Sequence, residues 1–108
     1  MVAETIASWL ADNTAERVPA ATASVVRRLL VDVAGLCVAA RREDYVSATL
    51  AAVDRGGTCT AFGHTGSFDA FGAALVNGTA AHGEDFDDTF EGGPVHSGSV
   101  IVPAVLAV

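Results

Sequence analysis

From His82 the chain runs His82-Gly-Glu84-Asp85-Phe86-Asp87-Asp88-Thr89-Phe90, then Glu-Gly-Gly-Pro-Val to His96, and Ser97-Gly98-Ser99 follow. The carboxylates Glu84, Asp85, Asp87 and Asp88, a hydroxyl and two imidazoles fall within fifteen residues. Carboxylates so close raise one another's pKa, because two like charges in a dry site cannot both ionise cheaply. Such a group suits proton transfer or cation binding better than it suits stability. Read as a plain charge run it is a solvated loop between two helices. The interleaved Phe86 and Phe90, and the histidine at each end, argue for chemistry.

The elements that must position this run read as helices. Ile6, Trp9 and Leu10 fall at helical spacing within residues 3–11. From Pro19 to Arg42 the apolar positions Val25, Val26, Leu29, Leu30, Val33, Leu36, Cys37 and Ala40 recur at gaps of three and four, one face of a long helix. Pro19 suits its first turn. Asp44 can cap a third helix that runs through Leu50 to Asp54, with Gly56-Gly57 as its stop. Residues 58–62 are short and β-prone. Ser67 can cap a fourth helix from Phe68 to Gly83, whose Ala70, Ala73, Ala74, Asn77, Gly78 and Ala81 make a small-residue face. An interior glycine costs a helix about 1 kcal/mol against alanine, so Gly78 marks the close approach of another backbone, and the long helix is the expected partner. The acids at this helix's C-terminal end oppose its dipole, so they do not serve its stability. His96-Ser97-Gly98-Ser99 opens a fifth helix, and its free N–H groups with the Ser97 and Ser99 hydroxyls form a carboxylate or phosphate site. The fold class expected is all-α with one short extended segment.

Composition narrows the function classes. The chain has 108 residues, enough for one domain. Half of its residues are apolar and few are aromatic, which describes packed helices with small contact residues. A net charge of −7, with six arginines and no lysine, argues against nucleic acid as a partner. No apolar run reaches the length of a membrane span. The N-terminus lacks the layout of a signal peptide. Cys37 and Cys59 lie far apart in unlike contexts and read as reduced thiols, which fits a cytoplasmic setting. The apolar run Val100 to Val108 carries no helix stop signal, and the expectation is a chain truncated within a longer one.

The run Asn77-Gly78-Thr-Ala-Ala-His82-Gly-Glu-Asp85-Phe-Asp87-Asp88-Thr89, with Pro94-Val-His96-Ser-Gly98-Ser-Val and Pro103-Ala, resembles the signature of the MmgE/PrpD family. Arg28-Leu-Leu-Val-Asp32-Val-Ala-Gly35 and the stretch from Thr58 to Gly63 resemble the same family's N-terminal region. Members include 2-methylcitrate dehydratase, cis-aconitate decarboxylase and an iminodisuccinate epimerase. They are several times longer, with a large helical domain, a smaller α/β lid and the active site between the two. The resemblance implies that residues 1–108 are the first part of the helical domain. It implies a small-molecule di- or tricarboxylate substrate and, in the full-length form, a homodimer. By the motif match Asp85, Thr89 and His96 correspond to active-site positions, and Asp88 belongs to the same run as a substrate-binding candidate. Many members have His-Pro-Gly where this chain has His96-Ser97-Gly98, which puts the local loop shape in question but keeps the histidine.

The residue types suit that chemistry. Dehydrating a citrate-like acid removes a proton beside a carboxylate and expels hydroxide, which needs a base, an acid and donors for the growing charge. An iron–sulfur Lewis acid takes several thiolates, and two distant cysteines do not supply them. The expectation is a lyase that uses side chains only, with no cofactor and no metal. His96 is the acid/base group, Asp85 orients it or shares its proton, and Thr89 donates to a substrate carboxylate. His82 reads as a helix-end packing or hydrogen-bonding residue and His64 as a turn residue. Decarboxylation and epimerisation begin with the same proton transfer and stay open beside dehydration. Three further readings stay open. One is a magnesium site like the aspartate pairs of phosphatases, although those follow a β-strand. Another is a metal site seeded by His82 and Asp85. The last is a non-catalytic helical association module.

Overall fold

The computed structural model describes residues 1–107; Val108, the end of the apolar run, lies outside them. Five α-helices and one strand follow in order: α1 (Val2–Asp12), α2 (Ala20–Ala39), α3 (Asp44–Ala52), β1 (Arg55–Cys59), α4 (Ala70–His82) and α5 (Ser97–Leu106). A 3-10 turn at Ala15–Arg17 joins α1 to α2. The chain is all-α with one short extended segment, as its periodicities require. No helix among the described residues is long and apolar enough to cross a membrane.

Helix α4 is the centre. It packs against α2, α3, α5 and β1, and it buries Gly72, Ala73, Val76, Asn77, Ala80 and Ala81. A helix apolar on all sides belongs inside a fold, and small side chains let four neighbours come close at once. The core adds Val33 and Cys37 from α2, Ala40 just past its end, Val46 from α3, Ala61 and Phe68 from the segment before α4, and Val102 from α5. The long helix does pack on α4, as expected. The backbone nearest Gly78 is that of α5, however. The Ser99 carbonyl lies 3.1 Å from the place a Cβ on Gly78 would take.

Several boundaries differ from the sequence reading, each for a local reason. The Gly56-Gly57 pair lies inside β1 and does not stop α3, which ends at Ala52. Gly57 is required there because a Cβ would collide with the Phe68 carbonyl. The extended piece therefore starts earlier, at Arg55, and pairs with Phe68 through bridges at Arg55 and Cys59. Phe68 is fully buried in that extended backbone, and the Arg55 guanidinium covers its ring at 5.4 Å. Helix α4 accordingly starts two residues later than Phe68. Its cap is Asp69, whose carboxylate accepts from the Gly72 N–H at 2.6 Å, and not Ser67.

Asn77 is the buried polar residue of α4. Its Oδ1 accepts from the Phe62 N–H at 2.8 Å and its Nδ2 donates to the Thr60 carbonyl at 2.9 Å. Its own carbonyl accepts from the Cys37 thiol at 3.2 Å. Both cysteines are free, Cys37 buried and Cys59 half-buried. Helix α1 stands apart: none of its residues is buried, and it packs on no other element of the described chain.

Candidate functional site

The site forms where α4 ends and α5 begins. His82 is the last residue of α4. The Asp85 N–H closes a turn on the His82 carbonyl at 2.8 Å, and Asp85 takes a left-handed backbone (φ 58°), which aspartate tolerates better than most residues. The chain thereby folds back over the end of α4 and drives Asp87 inward. A second turn follows, closed by the Phe90 N–H on the Val95 carbonyl at 3.0 Å, and it returns the chain to His96 at the start of α5. Residues far apart in sequence now touch: the His82 and His96 rings are 4.9 Å apart, centre to centre, at 58°.

Asp87 sits between the two rings with no exposed side-chain surface. Its Oδ1 lies 3.1 Å from His82 Nδ1 and 3.2 Å from His96 Nδ1. The second contact is not aligned as a hydrogen bond, and His96 Nδ1 is buried with no other partner. The opposite nitrogen of His96, Nε2, lies 3.6 Å from Asp85 Oδ1. Asp85 is on the surface, its side chain 77% exposed. Burial pushes the Asp87 carboxyl up. The nearby Ser99 hydroxyl and the His82 imidazole, which bonds the carboxylate directly, outweigh burial and hold it below the ordinary aspartate range.

The remaining candidate residues fall into two groups. Thr89 is at the surface, with its hydroxyl 3.5 Å from the Asp87 carbonyl, the outer limit of a hydrogen bond. Asp88, Ser97 and Ser99 face inward. Asp88 accepts from the Gly98 N–H at 2.8 Å and from the Ser97 hydroxyl at 2.9 Å. Two of the donors at the head of α5 that the sequence offered to a substrate, the Gly98 N–H and the Ser97 hydroxyl, are thus engaged by a side chain of the same loop. Ser99 donates to the His96 carbonyl at 3.3 Å. Gly98 is required at this point, because a Cβ would collide with the Asp88 carboxylate and meet Leu29 of α2.

The structure therefore brings Asp85 and His96 together and puts Thr89 on the same loop. It adds two residues to which the sequence gave no catalytic part, Asp87 and His82. Nothing in the spacing of Asp85, Asp87 and Asp88 separates the buried acid from the exposed one. Only the left-handed turn at Asp85 decides it. His64 is in a turn, as expected, its N–H bonded to the Ala61 carbonyl.

One donor atom each from His82, Asp85, Asp87 and His96 lies within 4.8 Å of the others, close enough to surround a cation. A groove of about 600 Å³ along α4 and α5, lined by Tyr45, Leu75, Gly78, Ser99 and Val100, reaches His82. A larger cavity, about 860 Å³, lies beside β1 and is lined by none of these four residues. It has no part in this chemistry.

Two histidines and two aspartates thus gather in a helical domain, where one helix ends and the next begins. The chain belongs to the MmgE/PrpD family, whose N-terminal domain matches residues 4–108. It is 28% identical over 110 residues to a cis-aconitate decarboxylase of Aspergillus terreus, an alignment that covers 98% of this chain and 22% of that protein. A second Aspergillus terreus sequence of the same name is 28% identical over 106 residues, covering 94% of this chain and 21% of its own. The chain spans about a fifth of the length of these curated relatives. No solved structure matches it.

Proposed function

We propose that this domain supplies the proton-transfer part of a lyase site for a polycarboxylic acid. His96 is the acid/base group, Asp85 shares its proton, and Thr89 donates a hydrogen bond to a substrate carboxylate. The observation that carries the proposal is the two-sided setting of His96, with Nδ1 buried against Asp87 and Nε2 at the surface beside Asp85. An imidazole held this way keeps one nitrogen for the protein and offers the other to a reacting proton.

Two reactions fit this group. Decarboxylation of a cis-aconitate-type acid breaks the bond to one carboxylate, releases CO₂ and returns a proton to carbon. Dehydration of a 2-methylcitrate-type acid removes a proton beside a carboxylate and expels hydroxide. The names of the relatives favour the first, and the side chains serve both. Residues 56–108 contain no lysine or arginine, so the cations that hold the substrate carboxylates come from outside this segment.

The test is a chimera in which this chain replaces the matching segment of the Aspergillus terreus decarboxylase. It is assayed for CO₂ release from cis-aconitate and for double-bond formation from 2-methylcitrate. His96→Ala should abolish turnover, and Asp85→Asn and Thr89→Val should lower it, in proteins with unchanged circular dichroism. Unchanged turnover in His96→Ala would sink the proposal. The four gathered donors support a second reading, a metal centre. A chelator should leave the rate alone, whereas loss with a chelator and rescue by magnesium or zinc selects the metal.

A further inference from the structure

We propose that Asp87 is the positioning residue that sets the tautomer and ring orientation of His96, leaving the Asp85 carboxylate to share the mobile proton. The inference rests on the reading of His96 as the acid/base group, and it divides between two aspartates a task that the sequence gave to one.

Burial is the first reason. The Asp87 side chain has no exposed surface, whereas that of Asp85 is 77% exposed. A carboxylate shielded from water interacts more strongly with a neighbouring dipole than one bathed in it. It also holds one place, while an exposed side chain samples rotamers.

Proton counting is the second. An ionised carboxylate only accepts hydrogen bonds. Asp87 Oδ1 faces His82 Nδ1 at 3.1 Å and His96 Nδ1 at 3.2 Å. If His96 Nδ1 carried a lone pair, it would face a buried anion at contact distance, and both groups repel. A proton on Nδ1 removes the clash and gives that nitrogen its only acceptor, since it is buried without another partner. Neutral His96 then carries its lone pair on Nε2, on the side of Asp85 at 3.6 Å. A proton between Nε2 and Asp85 is the one that can leave for substrate.

Neighbouring groups fix the carboxylate in turn. His82 Nδ1 lies 3.1 and 3.2 Å from the two oxygens of Asp87, so Asp87 bridges two imidazoles and has little freedom to rotate. His82 is therefore a brace for the carboxylate, 53% exposed on its outer side.

The experiment is nitrogen-15 NMR of the chain with labelled histidine, in solution or, for associated material, by magic-angle spinning of a sediment. The wild-type chain should show neutral His96 with its proton on Nδ1. Asp87→Ala should move that proton largely to Nε2, the form free imidazole side chains favour, while Asp85→Asn should leave it on Nδ1. A wild-type His96 protonated on Nε2 when neutral overturns the proposal, and that measurement needs no folded variant. A tautomer indifferent to Asp87→Ala overturns it equally. These readouts are independent of turnover. A failed assay on polycarboxylates would remove the functional reading and leave the tautomer result standing.

Discussion

The carbonyl oxygen of Ser99 on α5 stands 3.1 Å from the place a Cβ on Gly78 of α4 would take. In a regular helix that carbonyl would accept from the N–H four residues on, but residue 103 is proline and has none. The proline frees an acceptor, and the glycine makes room for it.

Substitutions at Gly78 should therefore divide by size. Gly78→Ala gains about 1 kcal/mol of helix propensity and asks the Ser99 carbonyl to yield slightly, so stability should change little. Gly78→Leu overpacks the contact and should cost about 1–3 kcal/mol. Chemical denaturation of both variants checks this, and a leucine variant as stable as wild type would remove the close-contact account.

Asp88 should behave as the cap of α5. Asp88→Ala deprives the Gly98 N–H and the Ser97 hydroxyl of their acceptor, at a cost of about 1 kcal/mol. Thermal unfolding should show the loss, and hydrogen exchange should place it at the first turn of α5. Uniform protection across α5 in the variant would contradict the capping role.

Acid should weaken the fold through Asp87. Its folded pKa is held below the ordinary aspartate value, so the folded state favours the ionised form. The resulting stability is fully present above the unfolded value and is lost as pH falls through the folded one. Unfolding free energy measured from pH 6 downward should drop at the acid end, and Asp87→Asn should flatten that drop. An unaltered acid limb in the variant would assign the dependence to other carboxylates.

The two thiols should react unequally. Burial pushes the Cys37 thiol up to about 11 from its ordinary value of 9.0, and the thiolate is the reactive form. Iodoacetamide near pH 8 should modify the half-buried Cys59 first and reach Cys37 only on unfolding, as mass spectrometry of the digested chain would show. The same shift makes Cys37 favour the fold below pH 9, a contribution lost as pH rises towards its folded value.

The isolated chain should self-associate. Ile6, Trp9 and Leu10 on α1, and Val100, Ile101 and Val105 on α5, are all more than half exposed, and apolar patches of that kind drive association. Gel filtration should give a mass well above the 10.9 kDa of one chain. A clean monomer at high concentration would show that these faces are tolerated in water.

Much of the helical frame was legible because apolar periodicity marks a helix face, although in α2 only Val33 and Cys37 of that face are buried. The three- and four-residue gaps from Val25 to Ala40 named α2, and the run of small residues named α4 as a site of close approach. Element ends were less legible, because they depend on contacts between distant residues. Gly56-Gly57 reads as a helix stop until the Phe68 backbone is seen against it. The motif marked the loop in which Asp85 and His96 come together. It could not rank Asp85 against Asp87, because one left-handed residue decides which acid turns inward, and aspartate can adopt that conformation at either position.

The amide of Asn77 gives one N–H and its oxygen to the backbone at Thr60 and Phe62, as a facing peptide unit would. A helix side chain thereby takes the part of a missing neighbour strand for the chain just beyond β1. The ribbon itself is held at Phe68, and its exit is fastened to α4 by one residue. Losing that amide would strand two backbone groups at once, so the way out of the ribbon hangs from a single hinge pin.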